Sequence, residues 1–198
     1  MLVFWDQRLV FLATPKTGST AIAAALESLA AVSIQRPPVL KHTTVQRFHR
    51  FLGPYLKVAS GEDFTTVALM REPLDWLGSW YRFRRREDLL DDNSTRNMTF
   101  DDFANAYCEK PQPGFANVGS QARFLTPPGR QPVDRIFRYE DIGAFVDFLE
   151  ERLNCEITLP RVNVSPEADL ALRPETLDRL HETMAEDLTL YGQLCKAG

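Results

Sequence analysis

The stretch LVFLATPKTGSTAIAAALESL, running from Leu9 to Leu29, decides how this 198-residue chain is read. Leu9 to Ala13 is an unbroken apolar run of strand length. Thr14-Pro15-Lys16-Thr17-Gly18-Ser19-Thr20 follows as a short polar loop carrying both strong breakers, proline and glycine. From Ser19 to Ala31 the alanine-rich pattern predicts a helix with Ile22, Leu26 and Leu29 on one face. A strand, a glycine-containing loop and a helix N-terminus together make an anion site. The free amides of the first turn point at the ligand, and the helix dipole favours negative charge. Lys16 adds a mobile cation, and Ser19 and Thr20 add hydroxyl donors.

Working outward, LVFW at residues 2–5 is a second strand-like run, separated from the first by Asp6-Gln7, so the two form a hairpin or one bent strand. DFTTVALMRE, residues 63–72, is a strong β pattern, and Pro73 suits the first turn of a helix predicted to run to about Leu89. VDRIFRYED, residues 133–141, is a third strand candidate. Helices are predicted over Thr43–Leu52, Ile142–Leu153 and Pro174–Leu194, the last with Leu177, Leu180, Met184 and Leu188 at helical spacing. Residues 91–130 are the least regular; Thr99 with Asp102 forms a capping-box pattern before a short helix ending near Cys108, and the region is expected to line an acceptor pocket. The alternation predicts one α/β domain over residues 1–198, with a mainly parallel sheet flanked by helices.

Apolar content of 44% and charged content of 25% are those of an ordinary globular domain. A net charge of −4 argues against a general nucleic-acid binder. Cys108, Cys155 and Cys195 are odd in number and show no metal-ligand spacing, so no metal site is expected. There is no basic leader and no apolar run near the roughly 20 residues of a membrane span, which makes a cytoplasmic location the expectation.

A nucleoside triphosphatase loop would read G-x-x-x-x-G-K-[ST]. Here Lys16 precedes Gly18 by two positions, no first glycine exists, and the strand TTVALM ends in Arg71 where a metal-binding carboxylate belongs. The loop instead resembles the 5′-phosphosulfate loop of sulfotransferases that use 3′-phosphoadenosine-5′-phosphosulfate (PAPS). Their pattern P-K-[TS]-G-[TS]-[TS] is matched throughout from Pro15 to Thr20. Their second signature, an arginine at a strand end with a serine eight residues on, is matched by Arg71 and Ser79 in REPLDWLGS. RYEDI at 138–142, RVNVS at 161–165 and DLTLYGQL near the end are weaker matches.

The resemblance implies a P-loop NTPase-like sulfotransferase fold and transfer of a sulfonate group to an acceptor hydroxyl of carbohydrate, lipid or small-metabolite class. The motifs look closest to the carbohydrate-modifying branch. The products would be the sulfated acceptor and adenosine 3′,5′-bisphosphate. Lys16 would contact the phosphosulfate and steady the leaving oxygen, and Pro15, Thr17, Gly18, Ser19 and Thr20 would form the 5′-phosphate cradle. Arg71 and Ser79 would hold the 3′-phosphate. Positioned cations and amides serve a sulfuryl group, of lower charge than a phosphoryl group, without metal.

Transfer to a hydroxyl needs a base, and histidine suits neutral pH. Of His42, His49 and His181, the resemblance favours His42, because LKHTT looks like the segment that presents the base in carbohydrate sulfotransferases. Glu72 and Glu140 are the fallback, and Lys41 is a candidate helper. Arg82 or Arg85 from YRFRRRE is a candidate phosphate contact, Gln121 a candidate acceptor contact, and Asn163 and Ser165 candidate loop-ordering groups. Trp76, Trp80 and Tyr81 are expected in the core. The rival expectations are a divergent P-loop small-molecule kinase and a non-catalytic nucleotide-binding protein.

Overall fold

The computed structural model of the chain describes residues 1–86, 92–160 and 167–197. Its sheet has five strands: β1 (Leu2–Phe4), β2 (Leu9–Leu12), β3 (Val32–Ser33), β4 (Thr65–Met70) and β5 (Arg135–Arg138), in spatial order β3-β1-β2-β4-β5. β2, β4 and β5 are parallel neighbours, with Leu9 opposite Thr65 and Val67 opposite Arg135. β1 is antiparallel to both β2 and β3. The sheet is therefore mixed, not mainly parallel as the alternating pattern predicted. The reason is local. Only Trp5 to Arg8 separates β1 from β2, closed by the Arg8 amide on the Trp5 carbonyl, and so short a link permits only a hairpin.

Ten α-helices flank this sheet among the described residues: α1 (Ser19–Leu26), α2 (Pro38–Lys41), α3 (Val45–Arg47), α4 (Gly53–Ser60), α5 (Pro73–Arg84), α6 (Phe100–Cys108), α7 (Gln121–Leu125), α8 (Ile142–Leu153), α9 (Pro174–Thr183) and α10 (Ala185–Ala197). A π-helical turn, Phe48–Leu52, fuses α3 to α4. Period-two alternation sorts the strand residues between two cores. Val10, Leu12, Ala68 and Met70 face Val45, Phe48, Leu56, Phe124 and Leu125 on one side. Phe11, Val67 and Leu69 face Ile22 and Leu26 of α1 and Phe145 and Leu149 of α8 on the other. A third cluster joins Trp76, Leu77 and Tyr81 of α5 to Phe103, Leu180 and Met184.

Several helices differ from the sequence pattern: the one expected over Thr43–Leu52 starts at Val45 and continues through the π turn to Ser60. α1 ends at Leu26 and tightens into a 3-10 turn, because the Ala31 amide is drawn to the Val3 carbonyl as β3 joins the sheet edge. The C-terminal helix breaks at Met184, whose burial against the Trp76 cluster turns α10 back towards α7 and β5. α6 follows its Thr99–Asp102 capping box and ends at Cys108 as the pattern indicated, whereas α7 is a helix in a region expected to be irregular. α5 ends at Arg84 with Arg85 as its C-cap, earlier than the expected Leu89; residues 87–89 lie outside the described residues, as does RVNVS.

Candidate functional site

The loop from Thr14 to Gly18 leaves the C-terminal end of β2 and enters α1 directly. Two of its residues have left-handed backbone: Lys16 at φ 65° and Gly18 at φ 70°. For Gly18 the requirement is double. A Cβ there would lie 3.1 Å from the Tyr139 ring, and L side chains avoid that φ. Among the described residues no side chain caps the first turn of α1 and no acidic residue stands in it; the Ala21 amide bonds the Gly18 carbonyl, and the Ser19 and Thr20 amides are left for an anion.

Neighbouring segments hold the loop in shape. The Trp76 indole N–H donates to the Pro15 carbonyl at 3.0 Å. The buried Thr17 hydroxyl donates to the Thr14 carbonyl at 2.9 Å, so Thr17 shapes the loop with its side chain and offers only its amide to a ligand. Lys41 Nζ donates to Thr20 Oγ1 at 3.0 Å, which leaves the Thr20 hydrogen free to donate in turn. Ser19, at the first position of α1, is buried.

The structure brings Arg71 to this loop. Its Nη1 donates to the Lys16 carbonyl at 3.2 Å, and its guanidinium lies 4.7 Å from the centre of the Tyr139 ring. Arg71 is positioned from three sides. Asp75, one helical turn on, accepts its Nε at 2.6 Å, and Gln121 pairs with both its backbone N–H (2.9 Å) and its carbonyl (2.8 Å). Gln121 is 1% exposed and its amide bonds both backbone groups of Arg71, so it braces Arg71 and does not face an acceptor as the sequence suggested. The brace is itself anchored. Asp187 of α10 accepts from the Ser120 hydroxyl and the Ala122 amide, fixing the start of α7.

Asp75 also accepts from Arg82 Nη2 at 3.1 Å. Burial alone would raise the Asp75 pKa, but its bonds to the two guanidiniums outweigh that and hold it below the usual carboxylate range. Ser79 is buried on the helix face shared by Asp75 and Arg82, four and three residues away. Of the two candidate arginines, Arg82 belongs to this cluster, whereas Arg85 turns to the Tyr81 hydroxyl at 2.9 Å and lines a separate cavity of about 620 Å³ with Met98, Phe100 and Arg173.

Lys16 is the least comfortable group in the site. Its ammonium sits 4.1 Å from the Phe83 ring centre and 5.6 Å from that of Trp80, and among the described residues it has no carboxylate partner. Burial first, then Arg71, Arg86 and Arg82, lower its pKa from 10.5 to about 7. Beside it the Trp80 indole N–H is buried without a hydrogen-bond partner among the described residues, and Thr14 Oγ1 is likewise orphaned. Excess positive potential, uncapped amides and unused donors together describe a cradle that an anion would complete.

His42 follows α2 and lies beside the loop. Its Nδ1 is 2.7 Å from the Ala13 carbonyl, which only the protonated nitrogen can satisfy, so the neutral ring carries its lone pair on Nε2. Burial lowers the His42 pKa below 6.5; the Ala13 carbonyl opposes the shift, while Lys41 and Lys16 reinforce it. The two fallback carboxylates are otherwise engaged. Glu72 caps α5 by accepting the Asp75 amide, and Glu140 accepts from the Glu72 amide and the Tyr191 hydroxyl.

Asp75, Trp76, Phe83 and Tyr139 were not assigned to the site from sequence. For Asp75 a signal existed, its i,i+4 spacing from Arg71. Trp76 packs in the core as expected but also ties down the loop; Phe83 and Tyr139 carry no linear signature. Among the described residues no group of three His, Cys, Asp or Glu side chains gathers to hold a metal, and no helix is long and apolar enough to cross a membrane. No known family model matches the chain, and no characterised protein matches it in sequence.

Proposed function

We propose that the chain is a PAPS-dependent sulfotransferase with a P-loop NTPase-like sulfotransferase fold, acting on an acceptor hydroxyl. The observation that carries this reading is the convergence of the Pro15–Thr20 loop, Arg71 and His42 at one end of the sheet, in a cluster of cations and amides. The donor, when bound, supplies a sulfonate on a 5′-phosphate leaving group. The amides of Thr17 to Thr20 and the hydroxyls of Ser19 and Thr20 bind the 5′-phosphate. Arg71, held by Asp75 and Gln121, binds the 3′-phosphate together with Ser79 of α5. His42 Nε2 takes the proton as the acceptor oxygen forms its bond to sulfur, and Lys16 neutralises the bridging oxygen as the bond from sulfur to it breaks.

Anion binding gives Lys16 the counter-charge it lacks, so its pKa rises from about 7 and the site takes up a proton as it fills. The test is titration calorimetry with adenosine 3′,5′-bisphosphate without metal, beside ATP with Mg²⁺. Tight bisphosphate binding that Arg71→Ala weakens by ~10–100-fold is expected. Preference for Mg-ATP would replace this reading with a small-molecule kinase, and binding of the bisphosphate with no transfer to any acceptor would make the chain a nucleotide-binding protein.

A further inference from the structure

The seven large hydrophobic side chains that stand exposed among the described residues are Leu29, Val32, Val39, Leu40, Phe51, Tyr55 and Val58, and all fall within residues 29–58. The same part of the chain is free of acid: between Glu27 and Glu62 stand Arg36, Lys41, Arg47, Arg50 and Lys57 and no Asp or Glu. In a chain of net charge −4 this stretch combines positive charge with exposed apolar side chains.

The helical run from Val45 to Ser60 shows the arrangement most clearly. Val45, Phe48 and Leu56 turn inwards and are buried on the sheet. A surface helix of this kind ordinarily presents polar residues on its other side. Here Phe51, Tyr55 and Val58, at i, i+4 and i+7, are 62%, 69% and 87% exposed. Arg47, Arg50 and Lys57 flank them, all exposed; Arg50 lies 5.1 Å from the Phe51 ring centre, and Lys57 is paired with Asp63 at 2.6 Å. Side chains this exposed form a ridge, not a groove. A ridge of aromatic and aliphatic groups bordered by arginine is matched by a surface that is apolar below and anionic above.

We propose that this ridge docks the protein on an anionic lipid bilayer, with Phe51, Tyr55 and Val58 entering the headgroup boundary and Arg47 and Arg50 meeting lipid phosphates. The ridge contains none of the residues assigned to the anion cradle, so the inference stands or falls apart from the proposed reaction.

The full chain is sedimented with vesicles of phosphatidylcholine alone and of equimolar phosphatidylcholine and phosphatidylglycerol. It is expected to pellet with the anionic vesicles only and to be released by high salt. Phe51→Ser/Tyr55→Ser/Val58→Ser and, separately, Arg47→Glu/Arg50→Glu should each lower partitioning by ~10-fold or more, with unchanged circular dichroism and bisphosphate binding. Failure to pellet with anionic vesicles, or pelleting that neither variant weakens, overturns the proposal. So does a dimer in lipid-free buffer that the triple variant dissolves, since the ridge would then be a protein interface.

Discussion

Arg71 and Lys16 approach one another across the end of the sheet, yet the corner holding Arg71 and the loop holding Lys16 are built in opposite ways. Arg71 is over-determined: Asp75 takes its guanidinium, Gln121 takes both its backbone groups, and Tyr139 lies against it. Lys16 has left-handed backbone, an aromatic wall and three arginines for neighbours, and its positive charge is disfavoured there. The two groups divide the labour. A preorganised arginine gives a fixed point of attachment at little reorganisation cost, whereas an uncompensated lysine responds to an arriving charge.

The largest effect is expected for Lys16→Met. Release of bisphosphate from the donor should fall by ~10³-fold or more. The same change should raise the melting temperature at neutral pH by ~2–4 °C, because it removes a desolvated charge. The pH dependence follows from the lowered pKa. Between about 7 and 10.5 the unfolded chain holds a proton on Lys16 that the folded chain has lost, so this group makes stability rise with pH across that window. Thermal melts should show the rise in the native protein and its loss in Lys16→Met. A variant that loses stability instead would mean that the lysine is compensated in solution.

Next in size is His42→Ala, expected to slow transfer by ~10²-fold or more with bisphosphate affinity retained. Because the His42 pKa is lowered, the acid limb of the rate profile should lie below the ordinary histidine value of 6.5. An unchanged rate would return the role of base to a carboxylate. Arg71→Ala should cut bisphosphate affinity by ~10–100-fold, the loss of a charge-assisted contact worth about 1.5–3 kcal/mol. Asp75→Asn, which only loosens Arg71 and Arg82, should cost ~3-fold in the same titration, as suits a half-exposed ion pair. An Asp75 effect as large as that of Arg71 would show that placement, not charge, limits binding.

Much of this frame was legible in the linear sequence. The β2–loop–α1 unit, β4 with Arg71 at its end, the Pro73 start of α5 and the Thr99 cap all depend on neighbours in the chain, and periodicity and breakers report such neighbours directly. The sheet's direction was less so, because a four-residue link and an edge strand two residues long decide it, and neither leaves a strong pattern. Gln121 illustrates the harder case. In GSQARFL it suggested an acceptor contact, but folding sets it against the Arg71 backbone, 50 residues distant in sequence, where it is buried.

By itself, then, the sequence determined which residue types stand at the loop: a lysine before a glycine, hydroxyls after it, an arginine at the end of the next strand, and a long acid-free segment between them. These are properties of composition and spacing, and no folding can alter them. Tertiary structure alone decided their electrical state. Whether Lys16 meets a carboxylate or three arginines, whether His42 turns Nδ1 or Nε2 to a carbonyl, and which hydrophobic side chains stay in water depend on groups distant in sequence. Charge and burial act through space, and only the fold sets those distances.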